Sequence, residues 1–273
     1  MEMNPVIKNI SIYPVKSLDG MSLQRAQIGP GGCLLHDREY AICKSDGKYV
    51  KGKNSELVHL LRSAIDFDDE MISFRHESES EWNQFHLKGD KAGIDEYLSA
   101  FFNLPVTLQQ NTKGEFLDEP IVSGMTILST ASLQTAAGWF NDMPLDETRK
   151  RFRATLEIAD TPAFWEDHLF YQPGIAIEFK IGDTTVYGMS PRARCVVPSR
   201  HPQTGETIHA FQKNFAEQRI ASLPQWSTLS NYSHTYYLAV DCYIPPTEFG
   251  KWIEVGEKVH ITGKTQDYTV PAF

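Results

Sequence analysis

Cysteine is scarce in this chain. The four residues, Cys33, Cys43, Cys195 and Cys242, are scattered through 273 positions. They include no C-x-x-C pair and no Cys/His spacing suited to zinc. That excludes a disulfide framework, a zinc ribbon and a cysteine-bound iron–sulfur cluster. Reduced thiols are expected, and any electrons must come from another protein. Long apolar runs are also missing. The first twenty residues have no apolar core of a secretory signal, so the mature protein is expected to start there. No window approaches the roughly 20 apolar residues of a membrane helix, and no basic amphipathic anchor is present. The expectation is no membrane and a cytoplasmic location.

Positive charge is in short supply overall. Lysine and arginine number 26 against 35 acidic residues, giving a net charge of -9. A nucleic-acid partner needs a broad basic surface, so none is expected. Several catalytic patterns are absent as well. The nine histidines form no H-E-x-x-H pair. Gly29-Pro30-Gly31-Gly32 lacks the spacing and following helix of a dinucleotide loop and reads as a turn. Gly188-Met189-Ser190-Pro191 lacks the second glycine of a nucleophile elbow.

What is present is the composition of an ordinary globular protein, 41% hydrophobic and 22% charged. Residues 6–15 read as a strand entering a loop at Asp19-Gly20. Residues 23–28, 39–43, 71–74 and 82–87 are further short strands, suggesting a small antiparallel sheet or barrel. Ile94, Leu98, Phe101 and Phe102 share one face of a helix over 90–102, with Asp90 placed to cap it. A polar stretch, Asn111-Thr112-Lys113-Gly114, then sets a boundary near residue 115.

Beyond it, Leu133, Ala136, Ala137 and Phe140 mark a helix capped by Ser129 or Thr130, and Phe211, Phe215, Ala216 and Ile220 mark another. Residues 175–181 and 184–187 form a hairpin at Gly182-Asp183, and Gly256-Glu257 has the form of a second. Residues 236–243 and 259–262 add strand. The sum is an α+β, β-rich fold without regular βαβ alternation. It divides into an N-terminal β-barrel or sheet domain, 1–115, packed on a C-terminal barrel with a few helices, 116–273.

The basic residues are unevenly spread. Arg149, Lys150, Arg151 and Arg153 lie within five positions, and Arg192, Arg194 and Arg200 within nine. Local anion binding is the natural inference. Cys195 sits in the second group. Flanking guanidinium groups bias a thiol toward the thiolate, which attacks electrophiles or ligates soft metals, although most free cysteines simply pack. Both readings stand for Cys195. If residues 149–153 are extended, Arg151 and Arg153 share a face and can grip a phosphate or carboxylate. The alternative is a solvated run paired with Asp146 and Glu147. Lys16 and Ser17, at a strand end, and Arg38 also suit a phosphate, though a lysine on a turn is normally exposed.

Together these motifs resemble the MOSC proteins over nearly the whole chain. The likeness is strongest to the two-part group with an N-terminal MOSC barrel that includes the mitochondrial amidoxime-reducing component. The motifs are Tyr13-Pro14-Val15-Lys16-Ser17, Asp37-Arg38, Arg151-Phe152-Arg153, and Arg194-Cys195 followed by Pro202-Gln203-Thr204-Gly205. The resemblance implies a C-terminal MOSC barrel and a molybdenum cofactor, Mo-molybdopterin, with Cys195 as metal ligand and catalytic centre. It makes Lys16, Ser17, Arg38, Arg151 and Arg153 contacts to pterin and phosphate, with Arg194 beside the metal.

The implied activity is an oxidoreductase that removes oxygen from N-hydroxylated or similar small substrates. A separate iron–sulfur or haem protein would supply electrons, as no ferredoxin-like segment follows Phe273. A cofactor or sulfur carrier without turnover is the alternative. A third is a metal-free cysteine enzyme using His201, His209 or His234 as base. Two positions depart from the family pattern. Ala154-Thr155 replaces Pro-Asn, and His201 replaces the Asp before the turn.

Overall fold

The computed structural model describes residues 4–112, 116, 124–141 and 143–267. Its first strands are β1 (Val6–Ile12), β2 (Met21–Leu23), β3 (Arg25–Gln27) and β4 (Tyr40–Lys44). They are followed by β5 (Leu61–Asp66), β6 (Met71–His76), β7 (Asn83–His86), helix α1 (Lys91–Phe102) and β8 (Val106–Gln110). Then come β9 (Thr126–Ser129), α2 (Thr130–Gly138), α3 (Leu145–Phe152), β10 (Leu156–Ala159), β11 (Ile175–Ile181) and β12 (Thr184–Ala193). Helix α4 (Phe211–Ala221), β13 (Tyr237–Tyr243), β14 (Trp252–Glu254) and β15 (Val259–Asp267) complete the order. The fold is α+β and β-rich. No helix among the described residues is long and apolar enough to cross a membrane.

Eight strands make one sheet in the order β15-β11-β12-β13-β9-β10-β1-β2. Its ends meet. Val6 bridges Lys258, the Ile7 amide donates to the Glu257 carbonyl at 2.8 Å, and the Val259 amide donates to Pro5 at 2.8 Å. This closes the sheet into a barrel and leaves β2 outside the ring. A bulge between Ile7 and Asn9 resets the alternation of β1, so Ile7, Ile10 and Ile12 all reach the barrel core. The chain's first strand therefore completes a barrel built mainly by its second half. At Gly188, in β12, the Leu169 carbonyl approaches so closely that an added Cβ would lie 1.8 Å from it.

A second core, running from Val15 to Leu108, gathers β4, β5, β6, β8 and α1. The boundary expected near residue 115 lies outside the described residues. Helix α1 takes the expected residues, but Asp90 does not cap it with a side-chain bond. Its Oδ2 instead accepts from the His86 amide at 2.8 Å. Ser129 does cap α2, accepting from the Ser132 amide.

Two expectations fail. Gly256-Glu257 does turn the chain, but β14 pairs with β3 while β15 pairs with β11, so no hairpin forms there. Residues 149–152 are helical rather than extended. The segment Leu145–Phe152 carries Asp146 and Glu147 in its first turn and Arg149, Lys150 and Arg151 in its last, the charge order a helix dipole favours. With α2 it forms the crossover between the parallel neighbours β9 and β10.

Below this crossover, Ser132 Oγ donates to Glu166 Oε2 at 2.9 Å and accepts from the Phe164 amide at 2.6 Å. Arg219 of α4 pairs with Asp167 at 2.5 Å and lies over the Phe164 ring. Burial, then the charge of Asp167, pushes the Glu166 carboxyl up from 4.5 to about 7. The folded form thus holds a proton between pH 4.5 and about 7 that the unfolded chain has lost. Stability must fall as pH rises through that window, by roughly 2–4 kcal/mol in total. Glu166→Gln is expected to remove this slope in urea titrations run from pH 5 to 8. An unchanged slope would place the effect elsewhere.

Candidate functional site

A cleft of about 1480 Å³ opens between the barrel and the second core. All seven residues predicted from sequence, Lys16, Ser17, Arg38, Arg151, Arg153, Arg194 and Cys195, line it. Fourteen of the 26 lysines and arginines are on its walls, against three carboxylates, Asp19, Asp146 and Asp241. In a chain of net charge -9 this is a focused positive field, suited to an anionic ligand.

One wall is built around Tyr13. Near the end of β1 the Ser11 amide bonds the Thr155 carbonyl at 2.8 Å, so the strand delivers Tyr13 beside the residues that follow α3. The Tyr13 amide donates to Asp37 Oδ1 at 2.7 Å, and Arg38 bonds the other oxygen of Asp37. Two guanidinium groups then lie on the Tyr13 ring, Arg153 at 4.0 Å and Arg38 at 5.1 Å from its centroid. The ring's negative faces offset part of the repulsion between the two cations. Ser17, Arg38 and Arg153 all have positive φ, 71°, 56° and 51°. Such backbone is costly for residues with a Cβ, and it clusters at binding sites. Burial lowers the pKa of Arg153, and the neighbouring Arg38 charge lowers it further.

Lys16 is not the exposed turn residue that residue physics alone suggests. It is 5% exposed, and its Nζ donates to the Phe116 carbonyl at 2.6 Å. The bridge between Val15 and Tyr40 holds the 13–17 loop against the segment carrying Arg38.

The opposite wall carries Cys195, between β12 and a short 3-10 turn, Val197–Ser199. Cys195 is exposed while Cys33, Cys43 and Cys242 are buried, which removes the packing interpretation for this thiol. The Val197 amide donates to its Sγ at 3.5 Å. Tyr236 clasps the segment from behind: its carbonyl accepts from the Arg194 amide and its hydroxyl donates to the Cys195 carbonyl, each at 3.1 Å. Arg194 donates to the Phe152 carbonyl, leaving its Nε buried without a partner. Burial, then the charge of Arg192, holds its guanidinium down to about 10.

Arg151 lines the cleft but is already occupied. Its Nε and Nη2 donate to Glu147 and its Nη1 to the Pro198 carbonyl at 2.9 Å. It ties α3 to the turn after Cys195. Arg149 likewise pairs with Asp146 and Glu157. The paired-run alternative therefore describes Arg149 and Arg151, and the anion-facing interpretation suits Arg153.

The family departures also find local roles. The buried Thr155 hydroxyl donates to the carbonyl of Thr126, a residue of the cleft wall, at 2.8 Å. His201 Nδ1 accepts from the amides of Gln203 and Thr204 at 3.3 and 3.2 Å, as an aspartate would at the head of this turn. Neither His201, His209 nor His234 is on the cleft wall. His59 is, and sequence reading passed it over, as it did Arg62. Arg62 bonds Asp19, the His59 carbonyl and Pro202, so it joins the two sides of the cleft. Neither residue belongs to a motif, and only the fold brings them to the site.

Residues 4–117 match the family described as the MOSC N-terminal beta barrel domain. No curated protein matches the chain. The matched segment carries Tyr13, Lys16, Ser17, Arg38 and His59. Arg153, Arg194 and Cys195 lie outside it, and the closer likeness to the amidoxime-reducing group rests on the motifs alone.

The Tyr13 wall makes a direct prediction. Tyr13→Phe keeps the ring on which the guanidiniums lie, while Tyr13→Leu removes it. Urea denaturation should show the leucine variant less stable than the phenylalanine variant by about 1–2 kcal/mol. Equal losses would mean that the hydroxyl, 3.4 Å from the Ala154 carbonyl, matters and the stacking does not.

Proposed function

We propose that the chain binds a molybdenum cofactor in this cleft, with Cys195 as its protein ligand to the metal, and acts as an oxidoreductase. The observation that carries the reading is an exposed thiol, Cys195, in a cleft whose walls carry fourteen lysines and arginines and three carboxylates. The residues present fit the group. A soft thiolate suits molybdenum, and the cofactor's phosphate and pterin suit Arg38, Arg153, Lys16 and Ser17. No cluster of three or more His, Cys, Asp or Glu occurs among the described residues. Cys195 is accordingly the ligand available. When bound, the cofactor supplies two-electron redox chemistry, and the protein supplies binding, orientation and electrostatics.

The chain's own part follows from its geometry. Tyr13 holds both Arg38 and Arg153 against its ring. The Val197 amide donates to Cys195 Sγ and fixes its position. Arg151, through Glu147 and Pro198, fixes the turn on which Cys195 sits. Arg194 places a second cation beside the sulfur. The expected substrates are small N-hydroxylated or similar compounds, with electrons from a separate iron–sulfur or haem protein. The exposure of Cys195 also favours a second reading, a carrier that hands cofactor or sulfur to another protein. Turnover of an N-hydroxylated compound with an artificial donor would support the enzyme, and cofactor release to an apo-acceptor the carrier.

Molybdenum and pterin per chain, measured in protein made in a host that synthesises the cofactor, test the shared premise. Near-equimolar metal and pterin are expected in the native chain. Cys195→Ala should lose metal, and Arg153→Ala should lose pterin by about tenfold or more, the effect of one charge-assisted contact. Native protein lacking both, even with cofactor freshly supplied, would overturn the reading.

A further inference from the structure

Trp82 stands on the cleft wall and is 40% exposed, yet nothing described above uses it. Its place follows from strand alternation. Leu61, Ile65, Ile72, Phe74 and Phe85 pack on the second core, so the alternate positions of β5 and β6 face the other way. Arg62 and Arg75 are direct cross-strand partners on that outer face. Phe74 pairs with Asn83 of β7, and one step further along the ladder Trp82 meets Arg75. Arg62, Arg75 and Trp82 therefore form a row across the sheet, and all three line the cleft. The next pair, Ala64 and Ser73, is small, so the floor beside this row is low.

The centre of the row is pinned. Arg75 Nη1 donates to three main-chain carbonyls, those of His76 at 3.2 Å, Glu77 at 3.1 Å and Glu79 at 2.6 Å. Its guanidinium lies 5.0 Å from the Trp82 ring centroid. Carbonyls hold the charge of Arg75 in place without neutralising it. The same turn reaches the thiol side of the cleft. Glu77 pairs with Arg62 Nε at 3.0 Å and accepts from Gln203 Nε2 at 3.4 Å, in the turn that follows Cys195.

A second indole shows what the position adds. Trp252 of β14 is 43% exposed and lies 4.6 Å from Arg25, but it is not on the cleft wall. Of the two pairs, Trp82 and Arg75 are the one placed in the focused positive field. The exposed indole offers a π face to a flat ring, a contact that gains more than aliphatic packing of equal area. The guanidinium beside it and the field of the cleft favour negative charge on the same ligand.

We infer that Trp82 and Arg75 form a subsite for a planar aromatic ring carrying an anionic group, such as an aromatic carboxylate. The ring lies on the indole and the charge is turned toward Arg75. As a substrate class this rests on the oxidoreductase reading of the cleft, in which Trp82 selects aromatic N-hydroxylated acids over aliphatic ones. The binding itself requires no metal.

The test uses the full chain made without cofactor and follows its five tryptophan indole N–H signals by NMR at pH 7. Trp82→Phe and Trp252→Phe assign two of them. Benzoate should shift the Trp82 signal with a Kd of about 1 mM and leave Trp252 unmoved. Cyclohexanecarboxylate, of equal charge and similar size, should bind about threefold more weakly or worse, and so should neutral benzamide. Comparing acids of equal charge cancels their general attraction to the other cations of the cleft. In ligand-observed titrations, Trp82→Leu should bring the two acids within about twofold of each other, and Arg75→Gln should do the same for benzoate and benzamide. The native protein carries both comparisons even if a variant misfolds. Equal responses of Trp82 to the two acids, or of Trp82 and Trp252 to benzoate, would overturn the proposal.

Cofactor-loaded chain tests the substrate assignment. Trp82→Leu should raise KM for a carboxylated aromatic amidoxime about threefold while kcat stays within about twofold. An unchanged KM would remove the assignment. Failure of the molybdenum reading would appear instead as absent metal and pterin, and would leave the benzoate response of Trp82 unchanged.

Discussion

Repulsion between like charges is the constraint around which the cleft is arranged. Two guanidiniums about 5 Å apart in a partly buried setting repel by roughly 3 kcal/mol at an effective dielectric near 20. The protein places fourteen cations around one opening. It tolerates them by three devices. Carboxylates take Arg149, Arg151 and Arg192. Main-chain carbonyls take Lys16 and Arg194. An aromatic ring lies against both Arg38 and Arg153. These devices leave the buried Nε atoms of Arg194 and Arg200 without a hydrogen-bond partner.

The barrel makes that arrangement possible. Because β1 completes the ring begun by the second half of the chain, the loop leaving it emerges at the seam between the two cores. Tyr13, Lys16 and Ser17 thus meet Arg153 without a long connection. The crossover from β9 through α2 and α3 to β10 brings Arg153 to the same seam, where it caps a helix in left-handed backbone. Both strands arrive by ladder hydrogen bonds, so the positions of Tyr13 and Arg153 are set by sheet register rather than by flexible side chains.

Much of this was legible in the sequence, and for physical reasons. The hairpin at Gly182-Asp183 and the helices at 91–102 and 211–221 rest on local patterns, which need no knowledge of distant partners. The run Arg192 to Arg200 marked Cys195 because charge near a thiol acts over a few residues. The geometry of Arg149–Arg153 was not read, although acidic residues early and basic residues late in Leu145–Phe152 are a helix signal. Tyr13, His59 and Arg62 were beyond reach. Their partners lie tens to more than a hundred residues away, and nothing in a tyrosine or histidine alone says that a guanidinium will stand against it. The failed hairpin at Gly256-Glu257 teaches the same lesson, since turn chemistry fixes a turn but the pairing of its arms is decided by the barrel.

The two sides of the cleft differ in how freely they can change. On the Tyr13 side, Ser17, Arg38 and Arg153 are held by left-handed backbone and ladder bonds, so a substitution there disturbs the fold as well as the ligand. On the Cys195 side, the turn after residue 200 needs only an acceptor at its head, and His201 fills that need with Nδ1 where an aspartate would use a carboxylate oxygen. The exchange removes one negative charge from the margin of the cleft while keeping the turn. Glu147, 3.7 Å from His201 Nε2, stays neutralised by Arg151. An imidazole at the head of this turn adds no negative charge, so it leaves the field of Arg200 less screened than an aspartate would. The departure at 201 and the buried, unpartnered Nε of Arg200 therefore act in the same direction, making the Cys195 side of the cleft more positive.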